Sequence, residues 1–169
     1  MLIVFAGLPA TGKTSIAREL ARRLNALYLR IDSIEQALRD AAVAAPLDDA
    51  GYRVAYALAA DNLRAGWTVV ADSVNPLTLT RDAWLDVARG ARVPAVEVEI
   101  VCSDPAEHRR RVESRSTDIP GLALPSWNDV ASREYHSWHR SRIVIDTAGQ
   151  SIDDCVARLL SILPGSRPA

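Results

Sequence analysis

Lysine occurs once in this chain, at Lys13, and every other basic side chain apart from histidine is arginine. Residues 7–14 read G-L-P-A-T-G-K-T, which follows the pattern G-x-x-x-x-G-K-T. Glycines in such a loop let backbone N–H groups close around phosphate oxygens, and the helix that follows adds the positive end of its dipole. A compact ammonium suits the β- and γ-phosphates better than a planar guanidinium does. The pattern predicts a site for a nucleoside triphosphate.

The parts of this loop have separate expected roles. Lys13 should bridge the terminal phosphates, and the hydroxyl of Thr14 should bind Mg²⁺. ATP and Mg²⁺ are therefore the predicted cofactors, although the motif fits GTP as well as ATP. The predicted nucleotide contacts are Gly7, Leu8, Pro9, Ala10, Thr11, Gly12, Lys13, Thr14 and Ser15.

Two aspartates come directly after apolar segments that resemble strands. Asp32 follows residues 27–31, and Asp72 follows residues 67–71. In open α/β sheets ligands gather at the carboxyl ends of strands, so both carboxylates are candidates for the site. Asp32 could accept the proton of a substrate hydroxyl, or it could cap a helix together with Glu35. Asp72 could orient the water shell of Mg²⁺, contact the substrate, or simply form a turn.

Arginines follow the fourth predicted strand. Arg111 and Arg115 lie four residues apart and would share one helical face. Such arginines could neutralise the charge that spreads onto a transferring phosphoryl group, and residues 104–125 could form a small helical lid over the nucleotide. The alternative is a solvated face paired with Glu107 and Glu113. After the fifth predicted strand, the backbone at Gly149 could border the adenine.

Strands and helices alternate in the sequence around these residues. Apolar runs predict strands at residues 2–6, 27–31, 67–71, 96–102 and 142–146. Helical spacing and capping residues predict helices from the phosphate loop onward, at residues 33–43, 48–64, 75–88, 105–115 and 126–138, and from residue 151 onward. This alternation predicts an α/β fold of three layers, with a parallel sheet of five strands between helices.

Length and composition indicate how many domains the chain forms and which kinds of partner and compartment suit it. A chain of 169 residues suits one domain, which we expect to span residues 1–169. The net charge of -1 and the pI near 6.3 argue mildly against a nucleic-acid partner. No apolar run is long enough to span a membrane, and two widely separated cysteines favour a reduced, cytoplasmic protein. A monomer and a homodimer are both compatible with the sequence.

The chain resembles the compact P-loop kinases that carry the AAA-family label, in particular the group of chloramphenicol phosphotransferase and the zeta-toxin-like kinases. Residues 7–14, 31–33 and 107–115 carry the resemblance. It implies the sheet order 2-3-1-4-5 and makes Asp32 the group that activates the acceptor hydroxyl. It also makes Arg111 and Arg115 the arginines of the lid.

Three functions remain open at this point. The first is an ATP-dependent kinase for a hydroxyl of a small molecule, such as an antibiotic, a nucleoside or a sugar. The second is a polynucleotide 5′-hydroxyl kinase, which would need a basic channel for the strand. The third is a nucleotide-gated switch or slow ATPase that needs no acceptor and hence no base.

The single lysine gives a direct test of the phosphate loop. Lys13→Arg keeps the charge but changes its shape, so the variant should lose most of its turnover while it keeps its fold. The kcat and the thermal unfolding midpoint of the variant and the wild type measure both effects. An arginine variant with near-normal turnover would contradict the role of Lys13.

Overall fold

The computed structural model of the protein describes residues 1–41 and 49–164. Its strands are β1 (Leu2–Ala6), β2 (Leu27–Arg30), β3 (Val69–Asp72), β4 (Ala95–Val101) and β5 (Ile143–Asp146). Its helices are α1 (Lys13–Leu24), α2 (Ile31–Asp40), α3 (Ala50–Arg64), α4 (Thr78–Ala91), α5 (Pro105–Ser114), α6 (Trp127–Ala131) and α7 (Ile152–Ile162). Within these described ranges, no helix is both long enough and apolar enough to cross a membrane.

The five strands form one parallel sheet in the order β2-β3-β1-β4-β5, which confirms the predicted topology. Strand β1 is central, and all five of its residues are buried. Leu2 lies opposite Val69 of β3 on one side and opposite Ala95 of β4 on the other. Because the strands all run the same way, their carboxyl ends meet at one edge of the sheet. The loops that follow β1, β2 and β3 therefore lie close together.

Helices cover both faces of the sheet, which confirms the three-layer α/β fold. On one face, Ile16 of α1 and Val156 of α7 belong to a buried cluster with the apolar side chains of the strands. On the other face, Ala59 of α3 and Trp84 of α4 belong to a second cluster. Each cluster excludes water from one side of β1, the strand that leads into the phosphate loop, and so stabilises it in the sheet.

Several predicted boundaries differ from the structure. Ile31 was expected to end β2, but it is the first residue of α2, so the strand passes directly into the helix. Helix α4 begins at Thr78 rather than residue 75, and it continues through Gly90 to Ala91. The helical residues predicted at 42–43 and at 48 lie outside the described ranges.

The predicted helix at residues 126–138 is the largest error. Its start is confirmed, because Ser126 and Asp129 form a reciprocal capping box, but α6 ends at Ala131. The buried guanidinium of Arg81 explains the early end. It donates to the backbone carbonyls of Asn75, Pro76 and His136, and it lies 4.0 Å from the ring centre of Trp138. The backbone near residue 136 thus bonds to α4 and the turn before it instead of continuing a helix.

The segment after α6 also neutralises buried charges on β4. Glu97 and Glu99 are both only 7% exposed. Arg140 forms an ion pair with Glu97 at 2.5 Å, and Arg142 forms one with Glu99 at 2.6 Å. A buried carboxylate without such a partner is costly. The irregular segment after α6 therefore stabilises β4 by bringing an arginine to each of its two buried glutamates.

Removing the Arg81 guanidinium tests this explanation. Arg81→Met should lower the free energy of unfolding by about 2–4 kcal/mol, because several buried carbonyls lose their donor. Urea denaturation measures the change. Arg89→Met, on the exposed part of the same helix, should cost less than about 0.5 kcal/mol. Equal losses in the two variants would contradict the role given to Arg81.

Candidate active site

The loop after β1 depends on a glycine that no larger residue could replace. Gly7 has a φ of 137°, and a Cβ on this residue would lie 2.2 Å from the carbonyl oxygen of Ile100 in β4. Gly12 also has a positive φ, of 96°, immediately before α1. These two conformations turn the chain sharply between β1 and α1. The first turn of α1 consequently lies at the carboxyl edge of the sheet.

Lys13 is held inside this loop and is only 7% exposed. Its Nζ donates to the carbonyl oxygen of Leu8 at 2.7 Å, and the hydroxyl of Thr11 donates to the same oxygen at 2.9 Å. Burial lowers the pKa of Lys13 to about 8, although the charges of Asp72 and Asp32 act in the opposite direction. The nearby carboxylates thus offset only part of the cost of burying the positive charge of Lys13. The phosphates of a nucleotide would stabilise this charge further.

Residues far along the chain support the loop from behind. The hydroxyl of Thr147, just after β5, donates to the carbonyl oxygen of Thr11 at 2.9 Å. His108 of α5 donates from Nε2 to the carbonyl oxygen of Pro9 at 2.8 Å. Both side chains are buried. No sequence pattern indicated His108, and Thr147 was considered only for its backbone, as part of the segment that follows the fifth predicted strand and could border the adenine.

Arg111 forms the ion pair expected within its helix and also bonds to the loop after β5. It pairs with Glu107 as the solvated alternative required, yet it also donates to the hydroxyl and the carbonyl of Thr147 at 2.8 and 2.9 Å. The other oxygen of Glu107 accepts from the backbone of Gly149 at 3.0 Å. Helix α5 is thereby joined to the loop after β5. Gly149 lies near this junction but does not line the cleft described below.

Asp72, the last residue of β3, is 3% exposed. It accepts a hydrogen bond from the hydroxyl of Tyr28 at 2.7 Å. Burial raises the pKa of Asp72, while the nearby charge of Lys13 and the hydroxyl groups of Tyr28 and Thr14 lower it. The carboxylate therefore bonds across the sheet edge to β2, which a residue that only formed a turn would not need to do.

Thr14 and Asp72 fit a hard divalent cation. Hydroxyl and carboxylate oxygens are the ligands that Mg²⁺ prefers, and Mg²⁺ usually takes only one or two of them from the protein, with phosphates and water completing its shell. Among the described residues, no group of three or more His, Cys, Asp or Glu side chains could hold a metal by itself. Two protein ligands beside the phosphate loop suit a cation that arrives with a nucleotide.

Asp32 lies in the first turn of α2, where its side chain is 47% exposed. The predicted capping role is wrong, because Arg30 occupies the N-cap position and no side chain caps the helix. The Nε atom of Arg30 lies 4.0 Å from Asp32 Oδ2. The carboxylate therefore does not cap the helix, and it lines the same cleft as Lys13.

Arg115 follows the last turn of α5 and is half-buried. Burial lowers the pKa of Arg115, and the opposite charge of Asp32 partly offsets that effect. Its Nε atom is buried and makes no hydrogen bond to any residue that the structure describes. A buried donor without a partner is costly, so this guanidinium is suited to an anionic ligand.

One cleft of about 630 Å³ brings most of the predicted residues together. Its lining includes Lys13, Thr14, Asp32, Asp72, Arg111 and Arg115. Arg133 also lines the cleft, and its guanidinium is close enough to lower the pKa values of Lys13 and Glu35. Arg133 was not predicted to belong to the site, because residues 126–138 were predicted to form one helix, which in the structure ends at Ala131.

Comparison with known proteins identifies the family of the chain. A family model described as an AAA domain matches residues 2–130. A shikimate kinase from Corynebacterium glutamicum is 32% identical over 157 residues, which cover 83% of this chain and 89% of that kinase. The chain therefore belongs to the AAA-domain family of compact P-loop kinases, as its sequence motifs predicted, and it is a phosphotransferase that uses ATP and acts on an alcohol group.

Solved structures of kinases share the fold. The APS kinase of Mycobacterium tuberculosis, determined in complex with AMPPNP and APS, has a TM-score of 0.72 at 20% identity, with 95% of each chain covered. A gluconokinase from Sinorhizobium meliloti 1021 has a TM-score of 0.63 at 18% identity, with 94% of this chain and 89% of that one covered. At these identities, the likeness shows the common architecture.

The buried lysine predicts how the stability of the nucleotide-free protein depends on pH. Lys13 titrates near a pKa of about 8 in the folded protein, whereas an exposed lysine in the unfolded chain titrates near about 10.4. Between these values the unfolded state keeps a proton that the folded state has lost. The free energy of unfolding should therefore rise with pH in this window, by up to about 1.4 kcal/mol for each pH unit.

Urea denaturation at pH values from about 7 to about 10 measures this effect. Lys13→Met removes the titrating group, so subtracting its curve from that of the wild type cancels the contributions of the other residues. The difference should rise above about pH 8. A difference that stays flat would show that Lys13 keeps its proton in the folded protein.

Proposed function

We propose that the protein transfers the γ-phosphate of ATP to a hydroxyl of a small molecule, with Asp32 as the general base. The observation that carries this proposal is the shared cleft, in which an uncommitted carboxylate faces the lysine and the aspartate of the phosphate loop region. A nucleotide switch would need Lys13 and Thr14 but would have no use for a carboxylate placed like that of Asp32.

The phosphate end of the cleft is formed by the loop and α1. Lys13 reaches the β- and γ-phosphates, and the backbone N–H groups at the start of α1 point toward the same oxygens. Thr14 and Asp72 would hold Mg²⁺, which neutralises charge on the phosphates when it is bound. Tyr28 donates to one oxygen of Asp72 and so orients the carboxylate toward this end.

Arginines supply positive charge where the phosphoryl group leaves the nucleotide. Arg115 has an unpaired buried Nε, lines the cleft and is close enough to Asp32 for an electrostatic attraction. In this proposal Arg115 stabilises the negative charge on the transferring phosphoryl group. Arg111 contributes to the same stabilisation and also anchors Thr147 through a hydrogen bond. Residues 104–125 are the proposed lid, because they carry both arginines and border the cleft.

Asp32 acts on the acceptor. Its carboxylate accepts the proton of the attacking hydroxyl as the oxygen bonds to the γ-phosphorus and the bond to the β-phosphate oxygen breaks. The leaving group is ADP, and the product is a phosphate monoester. Because the side chain is 47% exposed and does not cap α2, it is free to meet a substrate that enters the cleft.

The acceptor end of the cleft favours a small molecule. Leu122 and Leu124 give it an apolar wall, and Arg39 and Arg133 give it positive charge beside Glu35. The kinases that the chain resembles are named for shikimate, APS and gluconate, so these compounds are the first acceptors to test. The mixed lining suits a hydroxylated carbon skeleton with polar substituents.

A screen with labelled ATP tests the proposed function. The panel should contain shikimate, gluconate, APS, neutral sugars, nucleosides, hydroxylated antibiotics and 5′-hydroxyl oligonucleotides. We expect label to pass to at least one small molecule, with ATP consumption stimulated strongly by that compound. Transfer only to oligonucleotides would favour a polynucleotide kinase, and release of free phosphate without any transfer would favour a switch.

Asp32→Asn then tests the base with the accepted compound. The variant should lose about 10²–10⁴-fold in kcat, because an amide cannot take the proton, while its affinity for ATP changes by less than about twofold. Asp61→Asn, at an exposed site on α3, is the matched control and should keep normal turnover. Near-normal transfer by Asp32→Asn would remove this residue from the mechanism.

A further inference from the structure

Arg30 lies between two carboxylates and is bonded to only one of them. Its side chain is 12% exposed, and its Nη1 donates to Asp118 Oδ1 at 2.7 Å. Its Nε faces Asp32 Oδ2 at 4.0 Å, which is too far for a hydrogen bond. This Nε is buried and has no hydrogen-bond partner among the residues that the structure covers. The guanidinium therefore retains a free donor on the side of the proposed base.

Asp118 holds two arginines at once. While Oδ1 accepts from Arg30, Oδ2 accepts from Arg18 Nη2 of α1 at 2.6 Å. The two guanidinium groups hold the pKa of Asp118 well below its usual range, so this carboxylate remains charged throughout the working range of pH. One loop residue thus connects α1, the end of β2 and the loop that follows α5.

Packing of the loop places Asp118 independently of these ion pairs. Ile119, the next residue, is 9% exposed and belongs to the core. A Cβ on Gly121 would lie 3.0 Å from Gln36 Nε2, so the loop is in close contact with α2. Since α2 also carries Asp32, this contact places the loop that contains Asp118 beside the helix of the proposed base.

We propose that Asp118 is a positioning residue for phosphoryl transfer, which holds the Arg30 guanidinium and so keeps the Asp32 carboxylate free for the acceptor hydroxyl. The inference rests on the proposed function of Asp32 as the base. A guanidinium that bonded directly to Asp32 would occupy a lone pair and stabilise the ionised carboxylate, and both effects weaken a base. At 4.0 Å, Arg30 is an electrostatic neighbour of Asp32 that leaves its oxygens open.

A simpler role for Asp118 would be to fasten the loop to the body of the protein. The two roles differ in what Arg30 does after Asp118 is neutralised. In the positioning role, the released Arg30 turns to Asp32 and becomes an inhibitor, so removing Arg30 as well should restore activity. If Asp118 only fastens the loop, the loss of Arg30 cannot restore anything.

Kinetics of three variants separate these roles. With an acceptor from the screen, Asp118→Asn should lower kcat at least about tenfold and change the KM for ATP by less than about twofold. Adding Arg30→Met to Asp118→Asn should return kcat to within about threefold of the wild type. Arg18→Gln breaks the other ion pair but leaves Arg30 bonded, so it should stay within about threefold of the wild type.

Two outcomes would overturn the inference. One is a double variant that stays as slow as Asp118→Asn, and the other is a loss in Arg18→Gln equal to that in Asp118→Asn. Either would show that Asp118 acts only through the loop. Circular dichroism and the thermal midpoint of each variant confirm that it is folded, which is expected because Asp118 is 55% exposed.

A crystal structure of Asp118→Asn tests the same inference without any acceptor. An Arg30 nitrogen should move to within about 3.2 Å of an Asp32 oxygen. An Arg30 that remains at its original distance would overturn the inference and leave the proposed function intact. Transfer that survives in Asp32→Asn would instead remove the proposed base, whatever Arg30 does, so the two failures are distinguishable.

Discussion

The close approach of two backbones at Gly7 is the constraint on which the site depends. A Cβ at this position would lie 2.2 Å from the carbonyl of Ile100, so only glycine lets β1 turn at the edge of β4. The backbone N–H of Gly7 also donates to the carbonyl of Val74, in the loop after β3. The loops after β1 and β3 are therefore joined, and Lys13 and Asp72 come together as a result.

Burial then makes these charges depend on one another. Lys13 and Asp72 are both almost inaccessible to water, and each moves the pKa of the other toward its charged form. Tyr28 donates a hydrogen bond to Asp72, and the hydroxyl of Thr14 also lowers the pKa of this carboxylate. Since burial disfavours both charges, each of them depends on the other for compensation beside the phosphate loop.

Arginine organises the remainder of the site. Buried Arg81 donates a hydrogen bond to the carbonyl of His136, in the segment after α6, so the helix ends early. Arg133, in the same segment, lines the cleft. Arg111 joins α5 to Thr147, behind the phosphate loop. The planar guanidinium, with several donors in a fixed geometry, suits such bridges between separate elements. Lys13 is the only lysine in the sequence, and its compact ammonium lies inside the phosphate loop.

Local patterns in the sequence by themselves determined the presence of the five strands, the phosphate loop and the starts of α5, α6 and α7. Periodicity, glycine conformation and capping act over a few residues, as at Asp104 and in the Ser126 capping box. The tertiary structure alone decided where α6 ends and which acid binds Arg30. Arg30 and Asp118 are 88 residues apart in sequence, and their contact depends on the distance between folded elements. A long side chain such as that of Arg30 pairs with whichever acid the fold brings within reach, and no local sequence pattern specifies which acid that is.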